Sequence, residues 1–183
     1  MTKEIGKWKI LESEYVSRRP WLTARRDKVE LPDGRINDEY YVLEYPVWVN
    51  VIAIDKEGKY VMVRQYRHGI GDVFTELVAG VAEPGETPEQ AARRELAEET
   101  GYVGGEWELN TVLSANPGSH NNLSYSFIAR GVERRVDCHL DATEDLEVLR
   151  LDEDELYDLI ASDTMKQALM AASLWKYFHM KRL

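Results

Sequence analysis

The chain carries one cysteine, Cys138, among 183 residues. A single thiol cannot close an internal disulfide, so a disulfide-stapled scaffold is excluded and a reducing compartment is expected. Basic charge is also scarce. There are 23 Lys and Arg against 33 Asp and Glu, a formal net charge of −10. Nucleic-acid binding needs clustered basic residues, so no nucleic acid is expected as a partner. Long apolar runs are missing: none approaches the roughly 18 residues of a membrane span, and no membrane partner is expected. The opening stretch, MTKEIGKWKILESEY, lacks the apolar segment of a signal peptide, which adds to the expectation of a cytoplasmic protein. Internal repeats and low-complexity tracts are absent too. What remains is an ordinary hydrophobic content of 44%, in a chain long enough for one good core and a small appendage.

Residues 1–45 are polar, with strand-like runs near Lys7–Tyr15, Trp21–Glu30 and Asn37–Tyr45. Leu31-Pro32-Asp33-Gly34 is a turn signal between two of them. These features predict a small antiparallel N-terminal β unit, with Pro46 as its boundary and residues 46–183 as the main domain. Val47–Ile54 is apolar almost throughout, as in a strand buried on both faces. Tyr60–Tyr66, Phe74–Val78, Glu106–Leu113, Leu123–Ala129 and Leu146–Leu151 read as further strands. Asp154–Ala161 reads as a short helix. A last helix is predicted from Thr164 through Met180, burying Met165, Leu169, Ala172, Trp175 and Phe178 or His179. Mixed strands flanked by helices give an α/β class with layered architecture.

Between Gly80 and Tyr102 the chain reads GVAEPGETPEQAARRELAEETGY. Thr87 is a good N-cap, Pro88 suits the first helical position, and Gln90 completes a capping box. Ala91, Ala92, Leu96 and Ala97 favour helix, and Gly101 is placed to end it in the left-handed region. At about 100° per residue, Glu95 and Glu99 lie about 40° apart around the axis, with Glu98 about 60° to the other side. The three carboxylates can converge on one point. Like charges at these spacings cost a few tenths of a kcal/mol per pair without a cation. Oxygen-only ligands suit Mg²⁺, with Mn²⁺ as a substitute. Taken alone, an acidic triplet is a solvated charged face.

The surrounding pattern decides between these readings. Gly80, Glu86, Arg94-Glu95-Leu96, Glu98-Glu99, Gly101 and Tyr102 resemble the Nudix box at every fixed position, with Tyr102 standing where an aliphatic residue is common. The resemblance implies a Nudix α/β/α sandwich with a mixed β-sheet over residues 46–183. It also implies hydrolysis of a nucleoside diphosphate linked to another group. On this reading Glu95, Glu98 and Glu99 are metal ligands, joined by the carbonyl of Gly80 or Ala79. Glu86 and Arg94 form a structural ion pair.

The substrate must be read outside the box. Pro117 lies 16 residues after Gly101, similar to the marker of the ADP-ribose pyrophosphatase subfamily. In that subfamily two aromatic residues sandwich the base, and the N-terminal unit is exchanged between subunits. By resemblance, Trp8, Trp21 and Arg26 bind the base in a homodimer, with residues 1–45 serving dimerisation and base binding. For the two tryptophans, packing within a small sheet is the equal alternative. Val63-Arg64-Gln65-Tyr66-Arg67 resembles the family's strand before the box. It places Arg67 on a phosphate, which a guanidinium can fork, and this reading is preferred to a surface ion pair. After Pro117 the family often carries a carboxylate, whereas this chain has His120, Asn121 and Asn122. His120 and Asn122 are candidate contacts to the sugar or phosphate. The departure opens the choice between strict ADP-ribose specificity and a broader range including ADP-glucose and GDP-mannose.

For the general base, Asp141–Glu147 resembles a late family loop in which Glu144 is the best match. A solvated acidic loop is the alternative, and a box glutamate, Glu98 or Glu99, can serve instead. The expected reaction is Mg²⁺-dependent cleavage of a nucleoside diphosphate sugar to nucleoside monophosphate and sugar phosphate. Two other classes stay open: a non-catalytic nucleotide-sugar sensor, and a Nudix hydrolase of another nucleotide class. Against the latter, the SQPWPFPQS run of NADH hydrolases is absent. Gly118 also occupies the place of the tyrosine typical of dinucleoside polyphosphate hydrolases.

Overall fold

The computed structural model describes residues 5–140 and 142–182, so Asp141 lies outside the described residues. The chain forms two compact units. One holds the residues up to Tyr45 together with Asn116–Asn122, and the other holds Pro46–Ala115 and the chain from Leu123 onward.

The first unit is a three-stranded antiparallel sheet of β1 (Lys9–Arg19), β2 (Leu22–Glu30) and β3 (Ile36–Glu44), in that order. The turn from β2 to β3 closes through the Gly34 amide donating to the Leu31 carbonyl at 2.9 Å, with Gly34 at φ 84°. Arg25 donates to the buried carboxylate of Asp27 at 3.0–3.1 Å, and Ser13 adds a hydroxyl at 2.6 Å. Residues 116–122 are pinned along β3. The Leu43 amide donates to the Ser119 carbonyl at 2.7 Å, and Asn121 returns an amide to Leu43 at 3.2 Å. The Tyr40 hydroxyl donates to the Gly118 carbonyl at 2.5 Å.

The second unit contains β4 (Trp48–Asp55), β5 (Tyr60–Arg67), β6 (Asp72–Glu76), β7 (Val78–Val81), α1 (Pro88–Thr100), β8 (Tyr102–Leu113), β9 (Ser124–Arg134), β10 (Leu146–Leu151), α2 (Glu153–Ala161) and α3 (Ala168–Lys181). The sheet runs β10-β5-β4-β9-β8, with β6 paired to β5 and β7 paired to β4. β4 is parallel to β9 and antiparallel to β5 and β7, so the sheet is mixed. Alternation along β4 serves two cores. Val49, Val51 and Ala53 pack with Ala91, Ala92 and Leu96 of α1. Ile52 packs on the other face with Leu156 of α2 and Met170 and Leu174 of α3. This second unit is therefore an α/β/α sandwich with a mixed sheet, and the first is a small antiparallel β unit.

Two sequence expectations need correction. Phe74–Val78 is two strands: the chain leaves its pairing with β5 at Glu76, passes the fully buried Leu77, and pairs with β4 from Val78. The last helix starts at Ala168, where the Gln167 side chain accepts from the Leu169 amide at 2.7 Å and caps it. Its buried face is Leu169, Met170, Ser173, Leu174, Tyr177 and Phe178, while Ala172 and Trp175 are exposed. Trp175 instead meets the edge of Tyr157 from outside the core, with ring centroids 5.7 Å apart.

Candidate active site

The site is built around α1. The Thr87 hydroxyl accepts from the Gln90 amide at 3.3 Å, and Gln90 Oε1 accepts from the Thr87 amide at 2.8 Å. Gly101 ends the helix at φ 74°, with its amide donating to the Ala97 carbonyl at 2.8 Å. These caps fix the phase of the glutamate face.

One guanidinium organises the turn before the helix. Arg94 donates to both Glu86 oxygens at 2.9 and 3.1 Å, to the Val81 carbonyl at 2.9 Å, and to Glu95 and Glu98 at 3.0 and 2.8 Å. Glu86 also accepts from the Glu83 amide at 2.9 Å, so the loop folds back on itself. Arg94 holds the Glu86 carboxyl below its usual range, and the same pairing with Glu86 raises the guanidinium further.

The three carboxylates are not equivalent. Glu95 and Glu99 are buried, whereas Glu98 turns outward to Arg94. Among the described residues no three His, Cys, Asp or Glu side chains are grouped to hold an ion. The convergence predicted from helix phase is thus incomplete. The i,i+4 pairing of Arg94 with Glu98, itself visible in the sequence, competes for the third carboxylate.

The remaining donors fit a hard cation. Glu99 is 3% exposed, and its Oε2 is buried without a hydrogen-bond partner. Burial pushes its carboxyl up to about 9, and the charges of Glu95 and Glu144 push the same way. Burial also raises Glu95, against the opposing Arg94. Two acidic groups held buried side by side, with an orphaned oxygen, have the chemistry of a divalent-cation site. Gly80 leaves room for it: a Cβ there would stand 2.0 Å from Glu95 Cδ. Gly80→Ala is expected to displace the Glu95 carboxylate and weaken Mn²⁺ binding at least about tenfold, with the fold retained. Paramagnetic titration of both proteins checks this, and equal affinities would remove Glu95 from the site.

Beside these groups a cleft of about 580 Å³ opens over the start of β4, lined among others by Trp48, Asn50, Arg67, Phe74, Ala79, Gly80, Lys166 and Leu169. Arg67 reaches it, with Nε and one terminal nitrogen both donating to Glu76 Oε2 at 2.9 and 2.6 Å. Glu76 is buried and was not found by sequence reasoning, since nothing local marks it. The usable signal is Arg67 itself, because a guanidinium that is partly buried is commonly paired with a carboxylate. Glu144 is half-buried, and its charge acts on Glu99.

The other candidates lie in the first unit. Trp8 meets Tyr40 edge-on, at 5.6 Å between centroids. Trp21 sits in the β1–β2 turn at φ 62°, 69% exposed, where neither burial nor backbone preference favours tryptophan. The two flank opposite ends of β1, roughly 35 Å apart at about 3.3 Å per residue. They cannot sandwich one base within a single chain. Arg26 is paired with Glu14 and Glu39 on the polar face of the sheet. Pro117 is exposed in the loop along β3, Asn122 is buried, and the His120 ring packs edge-on against Tyr45 at 5.3 Å.

Comparison with known proteins fits this geometry. The model of the NUDIX domain matches residues 44–171, and that of the nucleoside diphosphate sugar hydrolase N-terminal domain matches residues 8–43. The chain belongs to the Nudix family. Within that family it falls with the ADP-ribose pyrophosphatase and nucleoside diphosphate sugar hydrolase group. It is 34% identical to the methanol dehydrogenase activator of Bacillus methanolicus, over 88% of this chain and 80% of that protein. It is 32% identical to the ADP-ribose pyrophosphatase of Bacillus subtilis, over 85% and 83%. A crystal structure of an ADP compounds hydrolase superposes with a TM-score of 0.86 at 22% identity, covering 99% of this chain and 97% of that one, which supports the fold.

Proposed function

We propose that the protein hydrolyses the diphosphate bond of nucleoside diphosphate sugars of the ADP-ribose, ADP-glucose and GDP-mannose type. The observation that carries this reading is the buried Glu99, unpartnered at Oε2 and beside Glu95, in a chain of the Nudix family. The N-terminal match to nucleoside diphosphate sugar hydrolases and the ADP-ribose pyrophosphatase relatives support the substrate class.

Glu95, Glu98 and Glu99, with the Ala79 or Gly80 carbonyl, would hold Mg²⁺ or Mn²⁺, which supplies positive charge to the diphosphate and acidifies the attacking water. Glu98 must swing from Arg94 to take part. Arg67, oriented by Glu76, holds a phosphate oxygen through the guanidinium nitrogen that Glu76 leaves free. Glu144 takes the proton of the attacking water. The hydroxyl joins one phosphorus and the bridging oxygen departs with the other phosphate. The products are nucleoside monophosphate and sugar phosphate, both open to a phosphatase that leaves the intact substrate untouched. Phosphatase-coupled release from ADP-ribose and ADP-glucose tests the reading, and no release from any nucleotide sugar would refute it.

Homodimerisation through the N-terminal unit belongs to the same proposal. The spacing of Trp8 and Trp21 supports it, because one base can meet both only from two chains. Light scattering on the eluting protein checks it, and a monomer at all concentrations would rule out the shared base site.

A further inference from the structure

One end of the cleft carries polar groups that the hydrolytic step does not use. Asn50 interrupts the buried apolar run of β4. It is 3% exposed, and its Oδ1 is buried without a hydrogen-bond partner. Val49 and Val51 on either side pack with α1, so strand alternation turns Asn50 toward α3 and into the cleft. An unpaired buried amide oxygen costs about 1–3 kcal/mol, which an apolar residue at this position would avoid. Facing it, the cleft is lined by Lys166 and Gln167 at the start of α3. Lys166 is exposed and makes no ion pair among the described residues, and the amino end of α3 adds partial positive charge.

We infer that Asn50 and Lys166 form the subsite for the sugar-phosphate half of the substrate, with the Asn50 amide on a sugar hydroxyl and Lys166 on the phosphate that bears the sugar. This rests on the nucleotide-sugar reading of the cleft. The Asn50 oxygen is an acceptor, so the group that pairs with it must be a donor, which excludes the phosphate oxygens. A sugar hydroxyl both donates to Oδ1 and accepts from Nδ2. Trp48, Phe74 and Leu169 offer apolar walls to the C–H faces of the ring. An exocyclic amine of the base is the other neutral donor that the substrate carries. The subsite sets which sugar is accepted and takes no part in proton transfer.

The test compares kcat/KM for ADP-ribose, ADP-glucose and UDP-glucose in the wild type, Asn50→Leu, Asn50→Ser and Lys166→Met. Asn50→Leu is expected to lower kcat/KM for the preferred sugar at least about tenfold and to compress the ADP-ribose to ADP-glucose ratio. The ADP-glucose to UDP-glucose ratio should hold. Asn50→Ser, which keeps an acceptor, should fall between, so that a packing defect is separated from a lost contact. Lys166→Met, a surface change, should raise KM several-fold with kcat kept. An unchanged sugar ratio in both Asn50 variants overturns the inference, and so does a shift in the base ratio alone. If the wild type hydrolyses no nucleotide sugar, the functional reading has failed by itself. Calorimetric binding of ribose 5-phosphate and glucose 1-phosphate then decides the subsite: loss in Asn50→Leu supports it, and equal or absent binding overturns it.

Discussion

Glu99→Gln is expected to lower turnover by about a thousandfold and, in the absence of metal, to stabilise the fold. Both effects come from one environment. The Glu99 carboxyl is buried beside Glu95 and Glu144, and burial pushes it up to about 9. In the unfolded chain it titrates at about 4.3. Between these values the folded state holds a proton that the unfolded state has released, so metal-free stability falls as pH rises through this window. Below it the carboxyl is protonated in both states and the penalty vanishes. Glutamine removes the penalty. Thermal melts in chelator should therefore show the variant several degrees more stable than the wild type at about pH 8, and no more stable at about pH 4. Added Mg²⁺ should stabilise the wild type and not the variant. A variant that melts like the wild type at both pH values would mean that Glu99 is solvated.

Arg94→Met should be the most damaging single change in the box for stability. The guanidinium serves Glu86, Glu95, Glu98 and the Val81 carbonyl together. Without it the buried Glu95 is left beside Glu99 with a single backbone donor, the Val81 amide at 3.2 Å, and burial acts on its carboxyl without the opposing guanidinium. Stranding one partner of such a network costs about 3 kcal/mol, toward the low end because Arg94 is partly exposed. For a domain of this size that is a fall in Tm of about 6–12 °C. Arg94→Lys should recover little, since an ammonium cannot fork onto Glu86 while reaching Val81. Denaturant melts check both variants. A loss under about 1 kcal/mol would show that the loop stands without the guanidinium.

What was legible in the sequence is what is encoded locally. Thr87, Pro88, Gln90 and Gly101 specify the ends of α1 through groups within a few residues of each other, so the box helix and its glutamate face follow from spacing alone. The Leu31–Gly34 turn is of the same kind. The illegible parts depend on distant partners. Phe74–Val78 shows no internal sign that its first half pairs with β5 and its second with β4. The face of α3 is not legible from apolar spacing, because Trp175 fits that spacing and is exposed, while Ser173 takes the core position by donating its hydroxyl to the Leu169 carbonyl at 2.7 Å. Glu76 and Asn50 draw their interest from Arg67 and from α3, neither of which is a sequence neighbour. Arg94 and Glu98, four apart on one helix, were a readable pair. In the structure that contact holds Glu98 away from the other two carboxylates.

The measurement that bears most directly on the central claim is the initial rate of product release from ADP-ribose, ADP-glucose, GDP-mannose, UDP-glucose, NADH and a dinucleoside tetraphosphate, with Mg²⁺ and with excess chelator. Rapid release from one or more nucleoside diphosphate sugars, abolished by chelator, is the expected result. Preference for NADH or the tetraphosphate would contradict the substrate class. Binding of nucleotide sugars with no turnover in Mg²⁺ would contradict the hydrolase itself and leave a sensor.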